Sequence, residues 1–152
     1  MADRRNVPPR EQIEALAGHR FAGGEYTVAH WENFLLTECT GATLMPDGMV
    51  HPIVLFHLPI VGAGTSITDM FALGQAESDL SIMIESYDWE FLAPLREEQA
   101  YRVEGSIQSS ERCHTDSDDI YDRIQFRFEI FSADRSPVAR SIITWHYTRG
   151  ML

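Results

Sequence analysis

The chain has 152 residues, the length of a single globular domain, and its hydrophobic fraction of 44% and charged fraction of 23% are ordinary for such a domain. Its formal net charge of −11 repels phosphate backbones, so we expect no nucleic-acid partner. No uncharged apolar run approaches the roughly 20 residues that span a bilayer. The N-terminus also lacks the apolar segment of a signal peptide, so we expect a cytoplasmic protein without membrane contact.

The first 20 residues are predicted to form an N-terminal arm before a single domain over residues 21–150. Residues 1–10 contain two prolines and four charged side chains, which favours a flexible segment. Residues 11–19 can form a short helical turn that Gly18 closes. Gly23 and Gly24 are followed by the sequence EYTV, and this pattern predicts a turn into a first strand.

A helix is predicted directly after this strand, with Thr27 as its N-cap and Gly41 at its end. Its apolar residues recur at spacings of three and four, which is typical of one buried helix face. They are Val28, Trp31, Phe34, Leu35 and Cys39. Residues 42–57 then contain two prolines and a glycine, so we expect an irregular or extended segment there.

Residues 58–74 are predicted to form one long helix. Pro59 suits the first helical turn, where its missing N–H leaves no bond unmade. Few positions of this segment are polar, and a helix that is apolar on most sides must be buried on most sides. Gly62 and Gly64 lack side chains and would allow close approach of another backbone, for example that of a second subunit.

After Gly74 the hydrophobic period changes from that of a helix to that of a strand. Apolar and polar residues alternate in four segments, each with one apolar face. These segments are residues 80–91, 101–107, 124–130 and 142–147. The short connections between them indicate antiparallel neighbours.

Together these elements predict an α+β protein with the hotdog fold, in which an antiparallel sheet of five or slightly more strands wraps around the long central helix. The helix over residues 59–74 is the element suited to cover the apolar face of the sheet. The cone-shaped fold of nuclear transport factor 2 is an alternative with a similarly long curved sheet. That fold normally begins with two or three helices, and the early strand argues weakly against it.

The order of elements resembles the MaoC-like hydratase and dehydratase family of hotdog proteins over roughly residues 20–149. The clearest match is the segment 84–107, which has the family's strand, proline-containing turn and return strand. Phe91, Pro94 and Leu95 match the turn, whereas Glu97 and Glu98 stand where the family commonly has a glycine. The last strands, over residues 123–149, agree in length and pattern.

The resemblance implies a lyase that adds or removes water at an enoyl or 3-hydroxyacyl thioester of CoA or acyl-carrier protein. It also implies a homodimer, or a heterodimer with another hotdog subunit, and no metal or redox cofactor. In the family an Asp and a His from the loop before the central helix handle one water molecule, in the motif Asp-x-Asn-Pro-x-His. This sequence lacks that motif. Its nearest counterparts are Asp47 and His51, spaced by four instead of five, and they are our candidate acid–base pair.

Four further residues are predicted to bind the substrate. His57 lies at the predicted helix start, where backbone N–H groups would also bind the thioester carbonyl, and Gly62 and Gly64 follow within the helix. Asp69 is a lone acid in this apolar helix, and acids in a comparable helix act in hotdog thioesterases. An acyl thioesterase is therefore one alternative function. The missing motif favours another, a non-catalytic hotdog subunit that pairs with an active homologue.

Overall fold

The computed structural model describes residues 7–150, so most of the predicted flexible segment over residues 1–10 lies outside the described residues. The helices are α1 (Arg10–Glu14), α2 (His30–Cys39), α3 (Leu58–Gly62) and α4 (Ile67–Leu73). The strands are β1 (Gly24–Thr27), β2 (Ile82–Phe91), β3 (Ala100–His114), β4 (Ile120–Phe131) and β5 (Pro137–Thr148). Short 3-10 turns occupy Pro46–Gly48, Pro52–Phe56 and Asp79–Ser81. None of the helices within residues 7–150 has the length and apolar character needed to cross a bilayer.

The five strands form one antiparallel sheet in the order β1-β3-β4-β5-β2. The first strand and the four later ones are therefore confirmed, and β3, β4 and β5 extend beyond their predicted bounds. Alternation places every second side chain on one face, and in β4 buried and half-buried residues alternate along most of the strand. Strands β1 and β2 form the two edges of the sheet.

The prediction of one long helix over residues 58–74 is wrong, because two short helices, α3 and α4, occupy this segment. Gly64 has a φ angle of +75°, a left-handed conformation that cannot continue a right-handed helix. Ser66 then begins α4 as its N-cap, since its hydroxyl accepts a hydrogen bond from the Asp69 N–H at 3.0 Å. The apolar composition does not show this break, and the burial that it predicts on most sides holds for α3 but not for α4, whose buried residue is Met70.

Helices α3 and α4 cover the apolar face of the sheet, as the hotdog arrangement requires. Leu58, Ile60 and Met70 from these helices are buried in one cluster with the inward side chains of the sheet. The cluster includes Tyr101, Val103, Ile107, Ile124, Phe126, Phe128, Ile130, Ile143, Trp145 and Tyr147. Removal of this apolar surface from water is the main force that holds helices and sheet together.

Helix α1 and the turn after it lie along β3. Ile13 of α1 is fully buried. The Gly18 N–H donates to the Ile107 carbonyl at 2.8 Å, and the Phe21 N–H donates to the Gly105 carbonyl at 3.0 Å. This part of the chain thus adds backbone hydrogen bonds to a stretch of β3 that β1 does not reach.

A buried ion network fixes the end of β5 to the end of α4. The Asp122 carboxylate is fully buried and accepts hydrogen bonds from Arg112 and Arg149, each at 2.8 Å. Arg149 also donates to the carbonyl oxygens of Gly74 and Gln75, which follow the last helical turn. Carbonyls at a helix end have no partner within the helix, so the guanidinium satisfies them.

Helix α2 exposes the face that the apolar spacing predicts to be buried, so this prediction is wrong. Trp31 is 66% exposed, and Phe34 and Leu35 are exposed as well. The buried residues of the helix are instead Asn33 and Thr37, which are spaced by four and share its other face. Apolar spacing identifies the helix correctly but cannot show which face meets the rest of the chain.

The start of α2 also differs from the prediction, whereas its end agrees. Thr27 is the last residue of β1, and the N-cap position belongs to Ala29, which has no side-chain acceptor. At the other end, Gly41 adopts a φ angle of +72° directly after the C-cap Thr40, as expected for a glycine that ends a helix.

Candidate functional site

The buried side chain of Asn33 organises the irregular segment between α2 and α3. Asn33 is 1% exposed, and its Nδ2 donates to the Met49 carbonyl at 3.2 Å and to Glu97 Oε2 at 2.9 Å. Its Oδ1 accepts a hydrogen bond from the His51 N–H at 3.0 Å. A single amide thus holds the loop that contains both candidate catalytic residues, in agreement with the rule that buried polar groups are paired.

Glu97 connects this loop to the turn between β2 and β3. Its Oε1 accepts a hydrogen bond from His30 Nδ1 at 2.8 Å, and its backbone N–H donates to the Gly48 carbonyl at 2.8 Å. The hydrogen bond from Asn33, followed by that from His30, holds the pKa of the Glu97 carboxyl below its ordinary value. Glu97 therefore has a defined structural role, at a position where the MaoC-like family commonly has a glycine.

His51 is half-buried and caps the 3-10 turn Pro52–Phe56. Its Nδ1 accepts a hydrogen bond from the Ile53 N–H at 3.1 Å, so this nitrogen carries the lone pair and Nε2 carries the proton. Nε2 lies 3.4 Å from the Thr40 hydroxyl. Both ring nitrogens of His51 thus have partners within the chain.

Asp47 lies in the preceding turn with its side chain exposed. Its φ angle of +59° is a left-handed conformation, and its carbonyl accepts a hydrogen bond from Arg96 at 2.6 Å. Within residues 7–150 no hydrogen bond joins the Asp47 carboxylate to the His51 imidazole. The structure brings both residues into one loop but does not pair their side chains.

A second polar cluster, the Tyr26–Glu32–His57 cluster, lies between β1, α2 and α3. Glu32 Oε1 accepts hydrogen bonds from the Tyr26 hydroxyl and from His57 Nε2, each at 2.7 Å. The Glu32 side chain is 12% exposed, whereas that of His57 is 37% exposed. Burial, followed by the hydrogen bond to Glu32, raises the pKa of Tyr26, so the phenol stays protonated and donates to the carboxylate. A carboxylate that orients an imidazole is an arrangement that acid–base catalysis uses.

The structure does not bring the other predicted substrate-binding residues, Gly62, Gly64 and Asp69, together in one site. A Cβ atom on Gly62 would lie 2.6 Å from Val103 Cγ2, so this glycine permits close contact within the chain between α3 and β3. Gly64 is exposed and ends α3. Asp69 is exposed in the first turn of α4. Because α3 has only five residues, it does not provide the long-helix N-terminus that we expect to bind a thioester carbonyl.

Tyr26, Glu32 and Asn33 of this region are not among the residues predicted from the sequence. The recurrence of polar residues at positions 33 and 37 was the available signal for a buried polar face on α2. No pattern in the sequence indicates that Glu32 meets His57, since the two are 25 residues apart. Among the described residues, no group of three or more His, Cys, Asp or Glu side chains could hold a metal ion.

No protein-family model matches the sequence, and no curated protein sequence matches it significantly. Solved structures do match the fold. The HadBC 3R-hydroxyacyl-ACP dehydratase complex of Mycobacterium tuberculosis matches with a TM-score of 0.64 at 14% identity, over 86% of this chain and 96% of that one. The ChsH1–ChsH2 complex of the same organism matches with a TM-score of 0.67 at 10% identity, over 93% and 90% of the two chains.

Hydratases and thioesterases both occur among the similar structures. The R-hydratase PhaJ1 of Pseudomonas aeruginosa matches with a TM-score of 0.53 at 12% identity, over 88% of this chain and 83% of that one. Several thioesterases match with TM-scores of 0.51 to 0.53. The hotdog fold is therefore confirmed, and the alternative cone-shaped fold is wrong. At these sequence identities the similarity establishes the fold alone, so the reaction has to be inferred from the site.

Proposed function

We propose that this chain adds or removes water at an enoyl or 3-hydroxyacyl thioester of CoA or acyl-carrier protein, as the MaoC-like hydratases and dehydratases do. By the resemblance to that family, Asp47 and His51 are the residues that handle the water molecule. In this proposal the acyl chain binds beside the segment between α2 and α3. His57, Gly62, Gly64 and Asp69 are the residues proposed to bind the substrate. No metal or redox cofactor takes part in this proposal.

The observation that carries this proposal is the hydrogen-bond network around Asn33. It fixes the loop that precedes the central helices, and the same turn of α2 contributes His30 and Glu32, which bind Glu97 and His57. Addition of water to a conjugated thioester requires a base for the water and an acid for the α-carbon. The loop contains two positioned imidazoles, those of His51 and His57, and the carboxylate of Asp47, so it can supply both.

The proposed active unit contains a second hotdog subunit. Within residues 7–150, strand β2 pairs with β5 on one side only, so the other side of this ten-residue strand has no partner strand. Its neighbourhood exposes large apolar side chains, among them Ile84 at 63%. A long apolar edge strand that stays uncovered promotes aggregation, so a partner strand would stabilise it. The HadBC and ChsH1–ChsH2 structures are two-component complexes and support such pairing.

A second candidate function is that of a non-catalytic subunit in such a pair. It is favoured by the hydrogen bonds of His51, whose Nδ1 is occupied by the Ile53 N–H and whose Nε2 lies near the Thr40 hydroxyl. An imidazole that caps a turn is not free to take a proton from water. In this case the chain would shape the substrate cleft of an active homologue.

The proposal is tested by incubation of the purified protein with short and long trans-2-enoyl-CoA substrates. Hydration removes the conjugated double bond, so the expected result is loss of its ultraviolet absorbance. A parallel assay with a thiol reagent detects release of free CoA, which would indicate a thioesterase instead. The variants His51→Gln and Asp47→Asn measure the contribution of the candidate pair.

The outcomes separate the candidates. Hydration without thiol release supports the proposed function. Thiol release alone contradicts it and supports the thioesterase. Absence of both activities from the isolated chain, together with hydration on co-expression with a second hotdog protein that is not lowered by substitution of Asp47, His51 or His57, supports the non-catalytic subunit. Absence of hydration under all these conditions overturns the proposed function.

A further inference from the structure

The Tyr26–Glu32–His57 cluster has the geometry of an oriented acid–base group, although it lies outside the candidate pair Asp47 and His51. Glu32 is the central member, since one of its oxygens accepts both hydrogen bonds of the cluster at 2.7 Å. An ionised carboxylate accepts only, so the hydrogen on the imidazole that faces it is on Nε2. The lone pair of His57 is therefore on Nδ1.

The Nδ1 atom of His57 has no hydrogen-bond partner among the described residues, in contrast to the other two histidines of this region. The Nδ1 atom of His51 accepts from the Ile53 N–H, and that of His30 is bonded to Glu97. His57 thus has an oriented ring, a half-buried carboxylate behind it and a basic nitrogen without a partner among the described residues. This combination distinguishes a base that is ready to accept a proton from a histidine that only stabilises a loop.

The imidazole of His57 is partly open to solvent, with 37% of its side chain exposed, and it packs edge-on against the Tyr26 ring with centroids 6.0 Å apart. Val61, one helical turn after His57, is also exposed. A surface of this kind suits an acyl chain or the second subunit of the proposed pair, and either would exclude bulk water from the imidazole. Exclusion of water strengthens the interaction of a carboxylate with the imidazolium that forms during proton transfer.

We infer that His57, oriented by Glu32 and Tyr26, is the acid–base residue for water addition, in place of His51. This inference rests on the proposed function. Nδ1 of His57 accepts one proton from water while the water oxygen forms its bond to the β-carbon. The electron pair of the double bond moves toward the thioester carbonyl and gives the enolate. The imidazolium then returns the same proton to the α-carbon, which regenerates the neutral ring and gives the 3-hydroxyacyl thioester. Dehydration follows the same steps in reverse.

The test compares His57→Gln and His51→Gln in the enoyl-CoA hydration assay, with His114→Gln as a control. His114 is an exposed histidine at the end of β3, whereas Tyr26 of the cluster pairs with the start of that strand, so its variant should retain the activity of the unmodified protein. Removal of a general acid–base group costs roughly 100-fold or more, so we expect His57→Gln to lose at least about that factor in kcat. We expect the loss of kcat in His57→Gln to exceed the loss in His51→Gln.

Glu32→Gln distinguishes orientation of the ring from a merely structural role. An amide cannot stabilise the imidazolium as a carboxylate does, so this variant should lower kcat and shift the pH profile of kcat/KM while it leaves KM similar. A second, independent measurement is the tautomer of His57 from imidazole nitrogen chemical shifts, which should show the proton on Nε2 in the unmodified protein. Thermal unfolding of each variant establishes that it is folded.

The results distinguish failure of the inference from failure of the proposed function. Hydration by the unmodified protein, together with loss of activity in His51→Gln and not in His57→Gln, overturns the inference and leaves the proposed function intact. A neutral His57 ring whose single proton is on Nδ1 overturns it as well. Absence of hydration in the unmodified protein with every partner overturns both.

Discussion

At the scale of single residues, Asn33 contributes most visibly to the order of the loop. Its amide bonds the Glu97 carboxylate, the Met49 carbonyl and the His51 N–H from a position that is almost fully buried. Removal of such a group leaves its partners without a replacement, and each unsatisfied buried group costs about 1–3 kcal/mol. The stability of the loop therefore depends on one polar side chain, which the periodicity of apolar residues does not identify.

Replacement of Asn33 by alanine should lower the free energy of unfolding by about 3 kcal/mol, as measured by urea denaturation. Thr43→Ala is the control, because Thr43 is exposed in the same connection and a surface change of this kind stays within about 0.5 kcal/mol. A loss below about 1 kcal/mol for Asn33→Ala would show that water replaces the amide.

The ion pair between Glu85 and Arg123 predicts a pH dependence. The hydrogen bonds from Arg123, followed by that from His146, lower the pKa of Glu85 from 4.5 to about 2. A lowered pKa in the folded state means that this stabilisation is fully present above pH 4.5 and is lost as the pH falls toward 2. Because the Glu85 side chain is 35% exposed, solvent screens the pair and its contribution is at most about 1 kcal/mol.

Glu85→Gln should therefore destabilise the protein at pH 6 and have a smaller effect at pH 3, as measured by unfolding free energies at the two values. Glu104→Gln serves as the control, because its contact with Arg102 is longer, at 3.5 Å, and both side chains are about half exposed. An equal effect of Glu85→Gln at both pH values would contradict the ion pair as its cause.

At the scale of elements, the close contact between α3 and β3 requires a glycine at position 62. A Cβ atom there would lie 2.6 Å from Val103 Cγ2 and 3.3 Å from Tyr26 Cβ. Neither neighbour is the far end of a flexible side chain. The alternation of β3 and the apolar composition of α3 predict that the two elements pack, but they do not predict the distance between them.

Gly62→Ala should lower the free energy of unfolding by about 1–3 kcal/mol through overpacking. The double variant Gly62→Ala/Val103→Ala removes the clashing methyl groups, so its loss should be smaller than the sum of the two single losses by about 1 kcal/mol. Urea denaturation of the four proteins of this cycle measures the difference. Additive losses would show that α3 moves away from β3 instead.

At the scale of the whole molecule, the edge at β2 and the exposed face of α2 determine how the chain associates. Ile84 and Met83 lie exposed on the edge strand, and Trp31 and Leu35 lie exposed on α2. The net charge of −11 opposes non-specific association, because it gives each copy of the chain the same sign. Under the proposed function these surfaces meet a second hotdog subunit.

We expect the protein to sediment as a dimer and Ile84→Lys to sediment as a monomer, because a lysine on an edge strand opposes pairing with another strand. Gln108→Lys adds the same charge to an exposed position of β3 and should leave the dimer intact. Sedimentation velocity at several protein concentrations measures both. A monomeric unmodified protein would contradict self-pairing and direct the search to a different hotdog partner.

The sequence by itself determined the five strands and α2, and the tertiary structure decided the break between α3 and α4, the orientation of the elements and the site. Alternation of apolar and polar residues predicts the strands because side chains in a strand point to opposite faces. Spacings of three and four predict α2, yet only the packed structure shows that Asn33 is buried and Trp31 exposed. The pairing of Glu32 with His57 joins residues from different elements, and such contacts depend on how those elements pack. Local periodicity therefore predicts secondary structure, but it does not predict which residues of different elements come into contact.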